Sequence, residues 1–402
     1  MAANVKRAWL ITLICGGAVA ALTLGIRQGF GLFLPPMTED LGITREGFAL
    51  AIATQNLLWG ASSPFFGGLA DRFGARKVLF IGGLLYGGGL LIMGNAIGMT
   101  GIMTGQALVG IGMGGAGISI VLGPVGRAVP IEKRSMALGL VTAGGSFGQF
   151  VMVPATQSLI SEYGWVQALF LLGLFATIAI WIFSLGLGEE KKPDSDYGLP
   201  QSVSGALGEA LSHRGFILLT TGFFVCGFQV VFIATHLPAF LQDKGVDAAS
   251  ASWALALVGL FNIIGATGAG WLGGKMEKRI ALAWFYIIRS IIIAVFILLP
   301  INANSALLFG ASIGIFWLGT IPLTSGLIST FFGARYLSML YGIVFVSHQL
   351  GSFAGAWYGG YLYVNTGSYE IMWWLTVVAG FIAGGLHWII REEPSHRLRP
   401  AE

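Results

Sequence analysis

Residues 8–34 read AWLITLICGGAVAALTLGIRQGFGLFL, an apolar run that contains one charged side chain, Arg27. The run is longer than the roughly 20 residues that a helix needs to cross a hydrocarbon core about 30 Å thick. Similar runs recur along the 402 residues, of which 55% are hydrophobic, 10% are charged and 62 are glycine. The sequence therefore predicts an all-α membrane protein whose helices pack closely through small residues.

Twelve membrane-spanning helices are predicted along the chain. They cover residues 8–34, 47–66, 78–96, 101–124, 136–160, 165–187, 215–241, 250–272, 280–299, 305–328, 337–362 and 369–390. The only long polar segment, 188–214, separates the sixth span from the seventh. We therefore predict an N-terminal six-helix bundle at 1–187, a cytoplasmic central linker at 188–214 and a C-terminal six-helix bundle at 215–402.

The distribution of Lys and Arg predicts the orientation of the chain in the membrane. Of the 22 basic residues, all but four fall on one side of the predicted spans. Arg45 and Lys244 lie on the opposite side, and Arg27 and Arg289 lie within spans. Basic loops stay in the cytoplasm. We therefore expect a multi-pass protein of the inner (cytoplasmic) membrane with both termini in the cytoplasm.

The two halves of the chain resemble each other at one fixed offset of 203 residues. The matched positions are Pro35 and Pro238, Asp40 and Asp243, Gly42 and Gly245, Leu69 and Leu272, Arg76 and Arg279, Gly139 and Gly342, Gly148 and Gly351, and Gly164 and Gly367. A parallel repeat of six spans predicts two pseudo-symmetric bundles, with a ligand site between them near the middle of the membrane.

Residues 67–77, GGLADRFGARK, follow the second predicted span. This segment resembles the signature loop of the major facilitator superfamily, and residues 270–275, GWLGGK, resemble a weaker second copy without the acidic residue. The resemblance covers the whole chain and implies the major facilitator fold. It also implies that Asp71, Arg72 and Arg76 form a cytoplasmic gate that holds the halves closed in the outward-facing state.

Within this superfamily the chain is similar to bacterial monocarboxylate and oxalate/formate porters, on residues 25–36 and 347–353. That resemblance implies a monocarboxylate-like substrate. Two departures leave the exact substrate open. Animal monocarboxylate transporters carry Asp and Arg on the eighth span, where this chain has Asn262 and Ala266, and the Lys of oxalate/formate exchangers is absent from the eleventh span.

The charges within the predicted spans indicate the kind of ligand. Arg27 and Arg289 lie in spans, whereas no Asp or Glu falls clearly inside one. An arginine at membrane depth costs about 2.5–3.5 kcal/mol and marks a functional site by default. We expect Arg27 to bind an anion; the alternative is that it reaches outward to the membrane surface. For Arg289, substrate contact and a structural bond to backbone carbonyls are alternatives.

Several uncharged polar residues of the spans are further candidates for substrate binding. They are Gln55, Asn56, Gln149, Gln229, Asn262, His348 and Gln349. His348 is also the candidate for proton coupling, because an unperturbed histidine titrates near pH 6.5. The alternative for each of these side chains is a hydrogen bond that holds two helices together.

No catalytic constellation, nucleotide-binding loop, metal-ligand cluster or cofactor motif is present in the sequence. We therefore predict no enzyme and no nucleic-acid binder, but a monomeric secondary active transporter among membrane lipids. Its predicted substrate is a small organic anion, moved by alternating access with proton symport or anion exchange. The alternatives are efflux of drugs or of neutral or zwitterionic solutes, and a non-transporting sensor built on the same fold.

Overall fold

The computed structural model describes residues 2–128, 134–187, 202–333 and 337–395, without the side chains of residues 2–8, 71, 126, 127, 134, 135, 203 and 338. All regular structure in these ranges is helical. The elements are α1 (Ala2–Gln28), a 3-10 helix (Phe30–Phe33), α2 (Leu34–Leu41), α3 (Arg45–Phe73), α4 (Ala75–Gly94), α5 (Met99–Ala116), α6 (Ile118–Ala128), α7 (Arg134–Leu185), α8 (Val203–Ser212), α9 (Arg214–Asp243), α10 (Ala248–Leu272), α11 (Lys278–Leu298), α12 (Ala303–Ile315), α13 (Thr320–Phe332), α14 (Leu337–Thr366) and α15 (Glu370–Trp388).

Each predicted span coincides with one of these helices or with consecutive helical pieces. The first predicted span, 8–34, lies on α1 and the 3-10 helix, and the helical stretch continues beyond it through α2 to Leu41. The fourth and tenth spans are each broken into two helices. The fifth and sixth spans lie on α7, which is interrupted by the non-helical Gly164. Within the described ranges, nine stretches are long and apolar enough to cross a membrane, and one of them contains both of those spans. The predicted fold class, an all-α membrane protein, is confirmed, whereas the count of twelve spans stays a prediction because α3 and α14 are not among these nine stretches.

The exposed surface of the helices is apolar, as a lipid-facing surface requires. The second half of α7 exposes a stripe of large apolar side chains at helical spacing: Leu171, Leu174, Phe175, Ile178, Ile182 and Leu185. α15 exposes a similar stripe that includes Leu375, Val378 and Ile382. Soluble monomeric proteins rarely expose apolar patches of this extent to water. These stripes therefore mark the membrane-facing side of the bundle.

The internal repeat is visible in the backbone. Gly42 and Gly245 both have positive φ, 61° and 82°, and Gly164 and Gly367 have φ of 79° and 70°. Only glycine adopts this conformation without a steric cost. The glycines matched at an offset of 203 therefore serve as equivalent helix ends in the two halves.

A second pair of contacts repeats at the same offset. Arg76 Nη2 donates a hydrogen bond to the carbonyl oxygen of Leu185 at 3.1 Å, and Arg279 Nη1 donates to that of Trp388 at 2.7 Å. Each arginine starts one helix and binds the carbonyl end of the last helix of its half. The matched arginines thus bind equivalent helix ends in the two halves.

The halves meet chiefly through α3 packed against α14 and α7 packed against α10. The predicted boundaries of the two bundles stay a prediction. Within the predicted linker, residues 202–214 include the helix α8, and residues 188–201 lie outside the described residues.

Candidate functional site

Arg27 lies at the end of α1 and points into the bundle. Its Nη2 donates a hydrogen bond to Asn56 Oδ1 on α3, and its Nη1 donates to Gln28 Oε1 at 3.4 Å. The guanidinium also lies over the ring of Trp59, 5.1 Å from the ring centroid. This geometry supports an interior role for Arg27 and does not support the alternative of reaching to the membrane surface.

The positive charge of Arg27 is not balanced by an acid in the described part of the chain. The ion pairs found there join Arg45 to Asp243, Lys278 to Glu392 and Arg279 to Glu277. Arg27 Nε is buried, and no group among the described residues accepts a hydrogen bond from it. Arg27 therefore keeps a free N–H and an uncompensated charge beside Asn56, which are the properties of an anion site.

A chain of amides extends from Arg27 across the bundle. Gln28 Nε2 donates to Gln149 Oε1 at 3.2 Å, and Gln149 Nε2 donates to the carbonyl oxygen of Leu255 at 2.9 Å. The chain connects α1, α7 and α10, so it crosses from one half to the other. The structure thereby places Gln149 near Arg27, with Gln28 between them.

A second polar connection crosses between α3 and α14. Gln349 Nε2 donates to the backbone oxygen of Asn56 at 2.9 Å, and Gln349 Oε1 lies 3.2 Å from His348 Nδ1. The ring of His348 is buried between Phe223 and Phe345, at centroid distances of 5.0 and 5.7 Å. His348 is therefore linked to the Arg27 site through two residues. Its role in proton coupling stays a prediction.

Gln55, next to Asn56 on α3, has an incomplete set of hydrogen bonds. The side chain is fully buried, and its Nε2 faces the sulfur of Met113 at 3.8 Å. In the described chain no donor reaches Gln55 Oε1. Asn262 differs, because its Nδ2 donates to Ser146 Oγ and its Oδ1 accepts from the backbone N–H of Leu318, both at 2.9 Å. Asn262 thus holds helices together.

Arg289 is fully buried, and its guanidinium N–H groups donate hydrogen bonds to other groups of the protein. Nε and Nη2 donate to the carbonyl oxygen of Phe316 at 3.0 and 2.5 Å, and Nη2 also donates to that of Trp317 at 2.7 Å. Nη1 donates to Gln229 Oε1 at 3.3 Å, and Gln229 Nε2 donates to the carbonyl oxygen of Thr376 at 2.8 Å. The carbonyls lie where the tenth span breaks between α12 and α13, so Arg289 caps a helix end. This geometry supports the structural alternative for Arg289 and Gln229.

A small cavity lies where the 3-10 helix and α3 face α9. Its volume is about 10 Å³, which is room for about one water molecule. Its lining includes Arg27, Phe30, Gly31 and Gln55 from the N-terminal side of the chain and Ala234 and Thr235 from α9. The halves therefore close directly onto Arg27 and Gln55 in this conformation.

The predicted cytoplasmic gate is only partly described. Arg72 is exposed and lies over the ring of Phe73, and Arg76 binds the carbonyls of Leu185 and Leu187 within its own half. The side chain of Asp71 lies outside the described residues. The gating role of Asp71, Arg72 and Arg76 stays a prediction.

An ion pair joins the halves at the opposite end of α3. Arg45 binds both oxygens of Asp243, with Nη1–Oδ2 at 2.5 Å and Nη2–Oδ1 at 2.7 Å. The Arg45 guanidinium also lies over the ring of Tyr363 at 4.1 Å, and Trp357 Nε1 donates to Glu46 Oε1 at 3.2 Å. We call the Arg45–Asp243 pair the end latch. It must break when the halves separate at this end.

We expect Asp243→Asn to favour opening at the latch end, because asparagine cannot hold a bidentate ion pair with Arg45. A partly exposed pair of this kind contributes about 1 kcal/mol, which is roughly a fivefold change in the open population. Spin labels at Glu39 and Ala249, exposed at this end on α2 and α10, report the separation by pulsed electron resonance.

Asp247→Asn is the matched control for the latch. Asp247 Oδ1 accepts from the backbone N–H of Ser250 at the start of its own helix, a bond that asparagine can also make. The distribution of distances between the two spin labels in Asp247→Asn is expected to match that of the wild-type protein. An Asp243→Asn distribution identical to that of the control would contradict the role of the latch.

Sequence reasoning missed several residues of this region. Gln28 and Trp59 contact Arg27, Thr235 lines the cavity, and Gln106 is a buried amide with neither polar atom paired in the described chain. Helical spacing offered one signal, because Trp59 follows Asn56 by three residues and therefore shares its face.

The sequence profile described as Major Facilitator Superfamily matches residues 13–355. This chain belongs to the Major Facilitator Superfamily. Its members are transporters and not enzymes, which confirms that part of the prediction. As a superfamily member, the chain is a multi-pass membrane transporter of small molecules.

Two curated relatives align along most of the chain. Monocarboxylate transporter 13 of Rattus norvegicus is 26% identical over 91% of this chain and 84% of its own length. The oxalate:formate antiporter of Oxalobacter formigenes is 23% identical over 93% of this chain and 89% of its own. The crystal structure of a bacterial homologue of the human lysosomal transporter Spinster, inward-facing and occupied, superposes with a TM-score of 0.76 at 15% identity, over 94% of this chain and 96% of that one. That likeness is one of fold.

Proposed function

We propose that this transporter carries a small organic anion, a monocarboxylate-like acid, by alternating access. The observation that carries the proposal is Arg27, whose charge is unbalanced and whose Nε–H is unpaired in the described chain. The two relatives, a monocarboxylate transporter and an oxalate:formate antiporter, support the same class of substrate.

A carboxylate would complete the site by accepting from Arg27 Nε. Hydrogen bonds between a guanidinium and a carboxylate are short and strong, and they fix the orientation of the acid. The bound acid would also neutralise Arg27. The cost of moving the occupied site between the two sides of the membrane then falls, because a neutral pair needs less solvation than a lone charge.

The proposed coupling is proton symport or anion exchange. With no acidic side chain predicted inside a span, a coupled proton would travel on His348 or with the acid itself. The hydrogen bonds from His348 through Gln349 to the backbone of Asn56 give a path by which protonation of His348 can alter the neighbour of Arg27. In our proposal Arg289 and Gln229 support the helix break, while Asn262 holds neighbouring helices.

The orientation and the assembly belong to the same proposal. We place the protein in the inner membrane as a monomer with both termini in the cytoplasm, and we keep the two bundles at 1–187 and 215–402 around the linker. Efflux of cationic drugs is disfavoured because the cavity is lined by an arginine and, within the described residues, by no acid. Neutral solutes and cations are represented in the transport experiment by the amides and by choline.

A comparison of acids with their uncharged analogues tests the proposal. Purified protein in liposomes is expected to exchange acetate and propionate at least about tenfold faster than acetamide and propionamide. The reason is that an amide loses the charge-assisted bond to Arg27. Counterflow of labelled solutes measures the rates, and empty liposomes correct for diffusion. Equal rates for acids and amides, or faster exchange of choline, would overturn the proposal.

A further inference from the structure

His236 is a buried titratable side chain that the proposed function does not use. It lies on α9 with no exposed surface, and its ring centroid is 5.5 Å from that of Phe232. α14 approaches so closely that a Cβ on Gly359 would lie 2.8 Å from the ring atoms Cδ2 and Nε2 of His236. The imidazole is therefore held in one position, with both of its nitrogens enclosed by the protein.

The partners of His236 determine which of its nitrogens carries a hydrogen. Nε2 is 2.8 Å from the carbonyl oxygen of Ala356, and Nδ1 is 3.1 Å from the hydroxyl oxygen of Tyr369. A carbonyl oxygen can only accept, so Nε2 carries a hydrogen. In neutral His236 the other nitrogen, Nδ1, is then an acceptor, and the hydroxyl of Tyr369 donates to it.

Tyr369 connects His236 to the end latch. Arg45 Nη1 donates to the hydroxyl oxygen of Tyr369 at 3.3 Å, in addition to its bond to Asp243 Oδ2. Arg45 begins α3 in the first half of the chain, whereas Tyr369 and His236 belong to the second half. The hydrogen bonds therefore run in one direction, from Arg45 to Tyr369 and from Tyr369 to His236, and they are complete only when the halves meet at this end.

A second proton on His236 is incompatible with these hydrogen bonds. The hydroxyl oxygen of Tyr369 would then face two donors, Arg45 Nη1 and His236 Nδ1. The hydrogen of the hydroxyl group itself would have no acceptor among the partners that the structure describes for Tyr369. A buried donor without an acceptor is costly, so the closed arrangement favours neutral His236.

The charged groups around His236 do not compensate a second proton either. The titratable groups of the surrounding elements are Tyr369 before α15, Tyr363 on α14, Arg45 and Glu46 on α3, and Asp243 on α9 itself. Glu46 accepts from Trp357, Asp243 is paired with Arg45, and within the described chain neither acid bonds to His236. Arg45 and protonated His236 would be two cations on one hydroxyl group, and like charges at this distance repel.

We propose that His236 is a proton-binding site that controls the end latch. The latch closes on neutral His236, and a proton taken up from water at Nδ1 favours its opening. The hydroxyl of Tyr369 can then donate to water, which reaches it once Arg45 has moved away. Acid on the side of the membrane that the latch faces therefore favours the open state. This inference goes beyond the proposed function, because it does not depend on which substrate is carried.

The pH dependence of latch opening tests the inference without any substrate. Spin labels at Glu39 and Ala249 report the separation of the halves, as in the experiment on Asp243→Asn. A change from about pH 8 to about pH 5.5 crosses the range in which histidine titrates and stays above that of ordinary carboxylates. The ratio of open to closed molecules is expected to rise at least about fivefold, which is the lower end of typical coupling between two sites.

His236→Gln is expected to show the same ratio of open to closed molecules at both pH values. Glutamine can donate to the carbonyl oxygen of Ala356, but it cannot take up a proton. His387→Gln is the matched control, because His387 is a fully buried histidine near the other end of α15, with Nδ1 2.7 Å from the carbonyl oxygen of Ala383. It is expected to keep the wild-type response, and melting temperatures show whether each variant is folded.

Tyr369→Phe is the second variant, should His236→Gln not fold. It keeps the ring and removes the hydroxyl that links His236 to Arg45, so its response to pH is expected to be smaller than that of the wild-type protein. A wild-type response in Tyr369→Phe, a response that persists in His236→Gln or the absence of any response in the wild-type protein would overturn the inference.

The outcomes separate this inference from the proposed function. A latch that does not respond to pH leaves the anion transporter standing, because acids and amides are compared in a different experiment. If no acid is exchanged faster than its amide, the proposed function is wrong, and a pH response that depends on His236 still stands.

Discussion

Arg27→Gln is expected to reduce carboxylate exchange at least about 100-fold while the protein still folds and inserts. Glutamine can retain a hydrogen bond to Asn56, but it cannot offer a charged donor to an acid. Loss of a charge-assisted bond in a buried site costs about 1.5–3 kcal/mol, and loss of the charge that holds the anion adds to that. Counterflow in liposomes measures the rate, and thermal unfolding in detergent measures stability.

Stability is expected to be unchanged or higher in Arg27→Gln, since the substitution removes a charge that the described residues do not balance. Arg27→Lys provides the charge control. Lysine keeps the positive charge but loses the planar donor edge, so we expect exchange intermediate between wild type and Arg27→Gln. Wild-type exchange by a correctly inserted Arg27→Gln protein would refute the anion site.

Arg289→Met is expected to destabilise the protein by about 3–5 kcal/mol, because it leaves the carbonyls of Phe316 and Trp317 and the amide of Gln229 without their donor. Methionine fills much of the volume of arginine, so the effect reports lost hydrogen bonds and not a cavity. Unfolding of purified protein by heat or denaturant, without any substrate, gives the measurement.

The two intramembrane arginines thus predict opposite patterns. Arg27→Gln loses exchange and keeps stability, whereas Arg289→Met loses stability before any ligand is added. Arg289→Lys, with three donors in place of five, is expected to fall between wild type and Arg289→Met. A stable Arg289→Met protein that fails to bind acids would show instead that Arg289 contacts substrate.

Features that depend on local sequence could be predicted well. The apolar runs located the helices, and the 203-residue offset identified Gly42 and Gly245 as equivalent positions, both of which have positive φ. The absence of acids from the predicted spans singled out Arg27, and its inward orientation agrees with that reasoning. These inferences succeed because length, composition and repetition can be read directly from the order of residues along the chain.

Features that depend on pairing between distant residues could not be predicted. Arg45 and Asp243 are separated by 198 positions, and only the packing of the halves brings them together. Likewise, the structural role of Arg289 depends on the break in the tenth span at Phe316. Neither a proline nor a charged residue stands at that position to indicate the break. The choice between substrate contact and helix capping required the acceptors to be located.

The equivalent hydrogen bonds from Arg76 to Leu185 and from Arg279 to Trp388 affect how fast the carrier can turn over. Each bond lies within one half, so a rotation of one half against the other would leave both bonds intact. Within the described residues, the polar bonds that such a rotation must exchange for water include the end latch, Gln349 to Asn56 and Gln149 to Leu255. Reorientation is expected in the microsecond-to-millisecond range of collective domain motions.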